Sequence, residues 1–525
     1  MTAITFGWLA AIFVGAAVLS SLLVPLLIRT ASALHLYDAP DGVRRIHASP
    51  VPRLGGVAVY LAAAAIAAPI LIYGSGLFWT DGIIAPYEVR MLTGLLIGSA
   101  ILFVVGLVDD VRSLPASVKF VAQVVAAVIA WYFGAGLQTI ALGYGEGVRL
   151  GFLELPLVLL WIIAVTNAYN FIDGLNGLAG GIAIVACATG LAVSLALGHF
   201  GVIIPTVALM GALFGFMRYN FPKARIFLGD AGSLSIGFLL SVLLLKASEA
   251  PGPRVMLAVP LLAMCVPLLD VSLAVLRRWL RGVPLSGADA RHIHHRLMAI
   301  GMSARRTAIV LWVLAAAIGV FGLLIALTAP YVATSIAIAS IIALCILIIY
   351  GTNILSYDEL IVAGEVLFTA PSRFRRVISD QILAHDLTAR IQSAEMVDEV
   401  TALLTSTAPS FGFLKMELVH DLRNHRTTED DAFATWAWKL EYPLRPRPQD
   451  ASSPSYKLAI WCSAEHHVRP YGAERAAKII APGLERWLLS RSADLNTPGA
   501  ANFGIDEVSA RLSGRRSGIS KSRAR

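Results

Sequence analysis

Four groups of residues in this 525-residue chain have types and spacings suited to chemistry. Asp109 and Asp110 close the apolar run Ile101–Val108. Adjacent carboxylates repel, which raises one pKa unless a cation lies nearby. The pair reads either as a solvated helix end or as a magnesium or general-base site, since hard divalent cations take oxygen ligands. Asn167, Asn170, Asp173 and Asn176 follow another apolar run in the string N-A-Y-N-F-I-D-G-L-N-G. Amides and a carboxylate at such a place are costly unless they line a wet cavity. The alternative is ordinary Asn-Gly turn formation, which the density of polar groups disfavours. Asp230, in F-L-G-D-A-G-S, opens a further apolar run. It suits a helix N-cap as well as it suits a carboxylate holding a metal and its phosphate. His292, His294, His295 and Arg296 occupy the most basic loop, Arg277 to Arg306. Zinc is one reading, but no acidic or cysteine partner is evident nearby. Imidazoles beside a guanidinium suit a diphosphate better, the alternative being a solvated basic loop.

These groups must be positioned by a membrane bundle. Hydrophobic residues make up 57% of the chain and charged residues 14%, against about 25% in soluble domains. The first 350 residues hold 33 charges and the last 175 hold 43. A purely cytosolic enzyme, a disordered chain and a disulfide scaffold are thereby excluded, and the 4 cysteines signal no disulfide framework. The net charge of +8 belongs to cytoplasmic loops rather than to nucleic-acid binding. Apolar runs near 4–29, 54–73, 91–108, 117–134, 153–168, 179–198, 201–217, 232–247, 255–276, 307–328 and 331–350 predict about eleven spans. The fold class is therefore an all-α polytopic membrane protein with a C-terminal cytoplasmic α+β domain. Of the Lys and Arg residues in the connecting loops, 16 fall on one side and 4 on the other. That bias places the N-terminus outside and all four polar groups on the cytoplasmic face. A divalent metal, anionic phosphates and a lipid-facing location together point to phosphoryl-type chemistry on a membrane lipid.

The ordered motifs, from Asp109-Asp110 through the Asn170, Asp230 and His292 strings, resemble those of the polyprenyl-phosphate N-acetylhexosamine-1-phosphate transferases. This is glycosyltransferase family 4, which includes the WecA and MraY types. The first loop is similar too, with Asp38, Pro40, Arg44, Arg45, His47, Pro50, Pro52, Arg53, Gly55 and Gly56 matching a family segment. The likeness covers roughly residues 1–350. It implies transfer of N-acetylhexosamine-1-phosphate, most simply GlcNAc-1-phosphate, from UDP-GlcNAc or a related UDP-sugar to undecaprenyl phosphate, with release of UMP. Magnesium, with manganese as a substitute, would serve as cofactor. By the same resemblance Asp230 is the principal metal ligand, assisted by Asn170. Asp109, Asp110, Lys119 and Asp173 are catalytic. Arg53, Asn167, Asn176, His292, His294, His295 and Arg296 bind substrate. Asp270 matches a family position whose role is left open between function and structure. The peptidoglycan branch carries an H-H-H-F-E string, so H-I-H-H-R disfavours MurNAc-pentapeptide as the sugar.

Three domains are expected: 1–350 in the membrane, 351–505 as a cytoplasmic α+β domain loosely resembling a GAF module, and 506–525 as a disordered basic tail. A bacterial inner membrane is the expected location, with membrane lipid as a partner, and a homodimer is compatible. A transporter of polyprenyl-linked sugars is the competing class. Its site belongs near the bilayer midplane, whereas these motifs fall at span ends. A membrane-anchored sensor leaves the acidic motifs unexplained.

Overall fold

The computed structural model describes residues 3–33, 37–38, 51–73, 86–140, 147–250, 254–281, 292–354, 374–420, 437–444, 456–463 and 470–491. Most of the first loop motif and the basic tail lie outside these residues. Two compact units form, one built largely from residues up to 356 and the other from those after it.

The first unit is helical. Its helices are α1 (Ala3–Ala33), α2 (Gly55–Tyr73), α3 (Pro86–Val111), α4 (Ala116–Tyr132), α5 (Glu154–Ile172), α6 (Leu178–Leu197), α7 (Phe200–Asn220) and α8 (Gly229–Ala247). They continue with α9 (Ala258–Ala263), α10 (Cys265–Arg281), α11 (Ile293–Ala299), α12 (Ala304–Leu327) and α13 (Pro330–Ile354). Among the described residues 8 helices are long and apolar enough to cross a membrane, and the shorter apolar helices Gly55–Pro69 and Ala116–Tyr132 join them. The chain is thus a polytopic helical membrane protein.

The predicted run 255–276 is not one helix. It breaks at Met264, and Pro267 in the first turn of α10 needs no N–H partner there, so the break costs little.

The centre of the bundle is α8. It packs against α2, α3, α5 and α6, and its residues from Ala231 to Ala247 are all buried. Gly232, Ser233, Ser235, Gly237 and Ser241 explain this, because small side chains let neighbouring helices approach closely. At the other extreme, α13 is mostly exposed along its apolar surface, as a lipid-facing helix must be.

The second unit contains α14 (Phe374–Ser393), α15 (Val397–Thr407) and α16 (Pro470–Ser490). Its strands β1 (Lys415–His420), β2 (Ala437–Leu444) and β3 (Tyr456–Ser463) form an antiparallel sheet in the order β1-β3-β2. The core is built from Leu387, Ile391, Leu458, Ile460, Leu484 and Trp487. The helical stretch between Phe374 and Thr407 is interrupted after Ser393. There the Trp487 indole donates to the Ala394 carbonyl (2.9 Å), and the Glu399 carboxylate accepts from the Glu395 N–H (2.7 Å), starting a new helix.

Candidate active site

Helix direction brings the polar motifs together. The C-terminal ends of α3 and α5 and the N-terminal ends of α4 and α8 carry Asp109–Asp110, Asn170, Lys119 and Asp230 respectively. Lys119 lies between two acids, its Nζ 3.2 Å from Asp109 Oδ2 and 3.0 Å from Asp230 Oδ2. The Asp109 and Asp230 carboxyls themselves approach within hydrogen-bonding reach. Asp109 also accepts from the Leu114 N–H (2.6 Å), which fixes the turn between α3 and α4. Asn170 donates through Nδ2 to Asp230 Oδ1 (3.1 Å) and to the Ser233 hydroxyl (2.7 Å).

Asp110 does something different from its neighbour. It accepts from the backbone N–H groups of Asp230 (2.7 Å) and Ala231 (2.9 Å). The α8 N-terminus is therefore capped from α3, where a carboxylate also meets the positive end of the helix dipole. The N-cap role that sequence allowed for Asp230 falls to Asp110 instead, and Asp230 sits in the first turn with its side chain turned to Lys119 and Asn170. This approach needs glycine. Gly229 has φ +74, and a Cβ on it would lie 2.1 Å from the Arg53 carbonyl and 2.7 Å from Asp110 Oδ2. On α3, a Cβ at Gly106 would strike the Asp230 carbonyl at 2.3 Å.

Arg53 is held at the same place by backbone pairing of its segment with the residues before α8. Gly55 N–H donates to Phe227 O (2.8 Å), Gly56 N–H to Leu228 O (2.7 Å), and Phe227 N–H to Pro52 O (2.8 Å). Its charge acts on both Asp110 and Asp173.

The segment after α5 turns sharply. Asp173 closes α5, Asn176 is half-buried, and Gly177 takes φ +75 to start α6. The Gly177 N–H donates to Asn220 Oδ1 (2.7 Å), and Asn220 Nδ2 donates to Ile226 O (2.8 Å). Asn220, absent from the sequence-predicted set, is thus what holds the turn. Burial pushes the Asp173 carboxyl well above the usual carboxylate range. Asp230 and Asp110 push the same way, and Arg53 opposes them.

Asn167 is engaged away from the carboxylates. Its Nδ2 donates to Gln123 Oε1 on α4 (2.7 Å) and to the Ile163 carbonyl (2.8 Å), while Gln123 Nε2 donates to Asn167 Oδ1 (3.3 Å). Gln123 was also missed, although the sequence carries a signal: it is the amide inside the apolar run 117–134, one helical turn after Lys119.

The histidines begin on the far side of the Asp173 turn. Asp270, buried on α10, accepts from the His292 ring at Nδ1 (2.9 Å) and from the Ile293 N–H (2.7 Å). It anchors the start of α11. The His292 ring stacks on Phe171 at 6.1 Å and on His294 at 5.7 Å, the latter nearly coplanar at 1°. His294 is 1% exposed, and among the described residues neither ring nitrogen has a hydrogen-bond partner. A Cβ at Gly174 would lie 2.9 Å from its Nε2, so the imidazole rests against the Asp173–Gly174 turn. Burial lowers its pKa to about 4, with His295 and His292 acting in the same direction against Asp270. His294 is therefore neutral near pH 7. His295 packs against it at 4.3 Å, and Arg296 follows within α11.

A bundle whose helix ends converge on carboxylates, amides and a lysine defines a membrane enzyme of the phosphate-handling kind. Comparison with known proteins gives the family. Residues 92–248, spanning α3 to α8, match the model of "Glycosyl transferase family 4". The chain is 33% identical over 294 residues to the "Probable undecaprenyl-phosphate N-acetylglucosaminyl 1-phosphate transferase" of Bacillus subtilis, covering 56% of this chain and 78% of that relative. It is 33% identical over 300 residues to the "Decaprenyl-phosphate N-acetylglucosaminephosphotransferase" of Mycobacterium tuberculosis, covering 51% and 71%. The "Undecaprenyl-phosphate alpha-N-acetylglucosaminyl 1-phosphate transferase" of Escherichia coli K12 is 27% identical over 306 residues, covering 56% and 78%. The chain belongs to glycosyl transferase family 4.

Proposed function

We propose that the protein transfers N-acetylglucosamine-1-phosphate from UDP-N-acetylglucosamine to undecaprenyl phosphate in a bacterial inner membrane. The observation that carries the reading is the meeting of Asp109, Lys119, Asn170 and Asp230 at four helix ends. The named activities of the relatives supply the substrates. An oxygen of the lipid phosphate attacks the sugar-bearing phosphorus of the donor. The bond from that phosphorus to the UMP oxygen breaks, and a polyprenyl-diphospho-sugar stays in the membrane. The lipid phosphate is largely ionised near neutral pH, so no strong base is required.

Lys119 presents a fixed positive charge to the phosphates from its place between Asp109 and Asp230. Asp109 holds Lys119 and the turn into α4, and Asp110 fixes the start of α8. Asp173, whose carboxyl is pushed up by burial and its acidic neighbours, helps hold the nucleotide sugar, with Asn176 and Arg53 beside it. His292, oriented by Asp270, and His294 with His295 and Arg296 bind the diphosphate. The oxygen-rich donor set suits magnesium. Among the described residues no three His, Cys, Asp or Glu side chains close a metal cage, and magnesium ordinarily binds through one or two carboxylates, waters and substrate phosphates. Asp230 and Asn170 would hold it. The ion would neutralise charge on the diphosphate and on the departing UMP.

In this reading eleven spans place the N-terminus outside and the site, with the unit after residue 356, in the cytoplasm. The donor is a UDP-N-acetylhexosamine rather than UDP-MurNAc-pentapeptide. Purified protein incubated with undecaprenyl phosphate, magnesium and each donor in turn tests this through UMP release. Turnover with UDP-N-acetylglucosamine supports the assignment; faster turnover of the pentapeptide donor overturns the sugar, and release from neither overturns the reading.

A further inference from the structure

We infer that Gln123 is a positioning residue for this transfer, acting through Lys119 by way of its amide pair with Asn167; the inference rests on the function proposed above. Gln123 is 2% exposed, on a helix whose other buried residues are Ala126, Ala127 and Ala130. The alanine face gives α4 little to fix its rotation or its slide along α5. Smooth small-residue surfaces pack closely but tolerate shifts in register, whereas one buried polar contact selects a single register. The reciprocal bonds of 2.7 and 3.3 Å between Gln123 and Asn167 are that contact.

The register matters because of what lies one layer above. Lys119 precedes Gln123 by four residues and Asn170 follows Asn167 by three, so each pair shares a helix face. Lys119 reaches Asp230 Oδ2 and Asn170 reaches Asp230 Oδ1. The amide pair therefore sets the spacing between the two groups that grip Asp230 from opposite sides. Both amides are engaged within the helix interface, with the second Asn167 N–H on the Ile163 carbonyl. A ligand-binding role for Gln123 would require breaking that pair. A positioning role keeps it.

The experiment is a double-mutant cycle on UMP release by the full-length protein. Gln123→Leu is expected to lower kcat by about tenfold to a hundredfold, the range for a misplacement near 1 Å, with KM for both substrates little changed. Lys119→Met lowers kcat on its own, and adding Gln123→Leu to it should cost almost nothing more. The swapped pair Gln123→Asn with Asn167→Gln keeps the summed side-chain length and should recover most of what Gln123→Asn alone loses. Thermal unfolding in detergent reports folding for every variant. If the Leu variant does not fold, the swapped pair decides: recovery supports the inference and its absence overturns it. Wild-type kcat in a folded Gln123→Leu protein, or losses from Gln123→Leu and Lys119→Met that multiply, also overturn it. A wild-type protein that releases no UMP would instead overturn the function itself.

Discussion

The acidic cluster and the histidine segment meet at the Asp173 turn, but they are finished to different degrees. In the acidic cluster each carboxylate has its protein partners: Asp109 holds Leu114 and Lys119, Asp110 holds two amides of α8, and Asp230 holds Lys119 and Asn170. These contacts come from four helices and leave the charges fixed before any substrate arrives. Electrostatic preorganisation of that kind costs no reorganisation at the moment of reaction. In the histidine segment, Asp270 secures the first ring, and His294 is buried with both nitrogens unpartnered among the described residues. An unmet buried polar group costs roughly 1–3 kcal/mol. The contrast separates a cluster whose carboxylates the protein itself has partnered from a segment that, under the proposed function, the nucleotide sugar completes.

The largest expected effect tests the acidic half. Asp230→Asn should lower UMP release by on the order of 10²–10³-fold, as loss of a preorganised charged group does, with unfolding in detergent little changed. Retention of most magnesium-dependent turnover would remove Asp230 from the ligand set. Next comes the anchor of the other half. Asp270→Ala removes two hydrogen bonds from a buried carboxylate, worth roughly 1.5–3 kcal/mol when a charged group is involved. That loss should appear as a raised KM for the nucleotide sugar at nearly constant KM for the lipid. Equal rises in both would erase the distinction between the two regions.

Much of this division was legible in the sequence, and the reason is local. Asp109–Asp110, Asn170, Asp230 and the histidine string stand out because polar residues at the ends of apolar runs are conspicuous. What escaped was contact between elements. Nothing in spacing shows that Asp110 caps α8 while Asp109 faces Lys119, since the two are neighbours in the chain and differ only in which helix each reaches. Asn220 and Gln123 were passed over for the same reason, their partners lying 43 and 44 residues away. The runs themselves located the helices, yet the break at Met264 leaves hydropathy unchanged, and only Pro267 just beyond it marks the place in the sequence. The neutrality of His294 follows from burial, which a count of basic residues in a loop does not reveal.

A smaller effect is expected from removing the second unit. Its core of Leu387, Leu458, Ile460 and Trp487 is its own, and every residue with proposed chemistry precedes it. Deleting residues 361–525 should leave UMP release within a few-fold of the full chain. A folded, membrane-inserted truncation without transfer would make the second unit part of the catalytic machinery.

The smallest effect distinguishes the two regions by pH. The folded-state pKa of His294 lies at about 4, below its unfolded value of 6.5. Between those values the unfolded chain binds more protons at this position than the folded one, so stability rises with pH through the window and is lost as pH falls through it. At about 1.4 kcal/mol per unit the ceiling is a few kcal/mol, spread over a large bundle. His294→Gln keeps a neutral hydrogen-bonding side chain without the titration. Its unfolding midpoint in detergent should therefore fall less steeply between pH 6.5 and pH 4 than that of the unsubstituted protein. Above pH 6.5 the two profiles should run parallel, because His294 is then neutral in both the folded and the unfolded state. Identical slopes below pH 6.5 would mean that burial does not hold His294 neutral, and that its ring takes up a proton over the same range in the folded and the unfolded state.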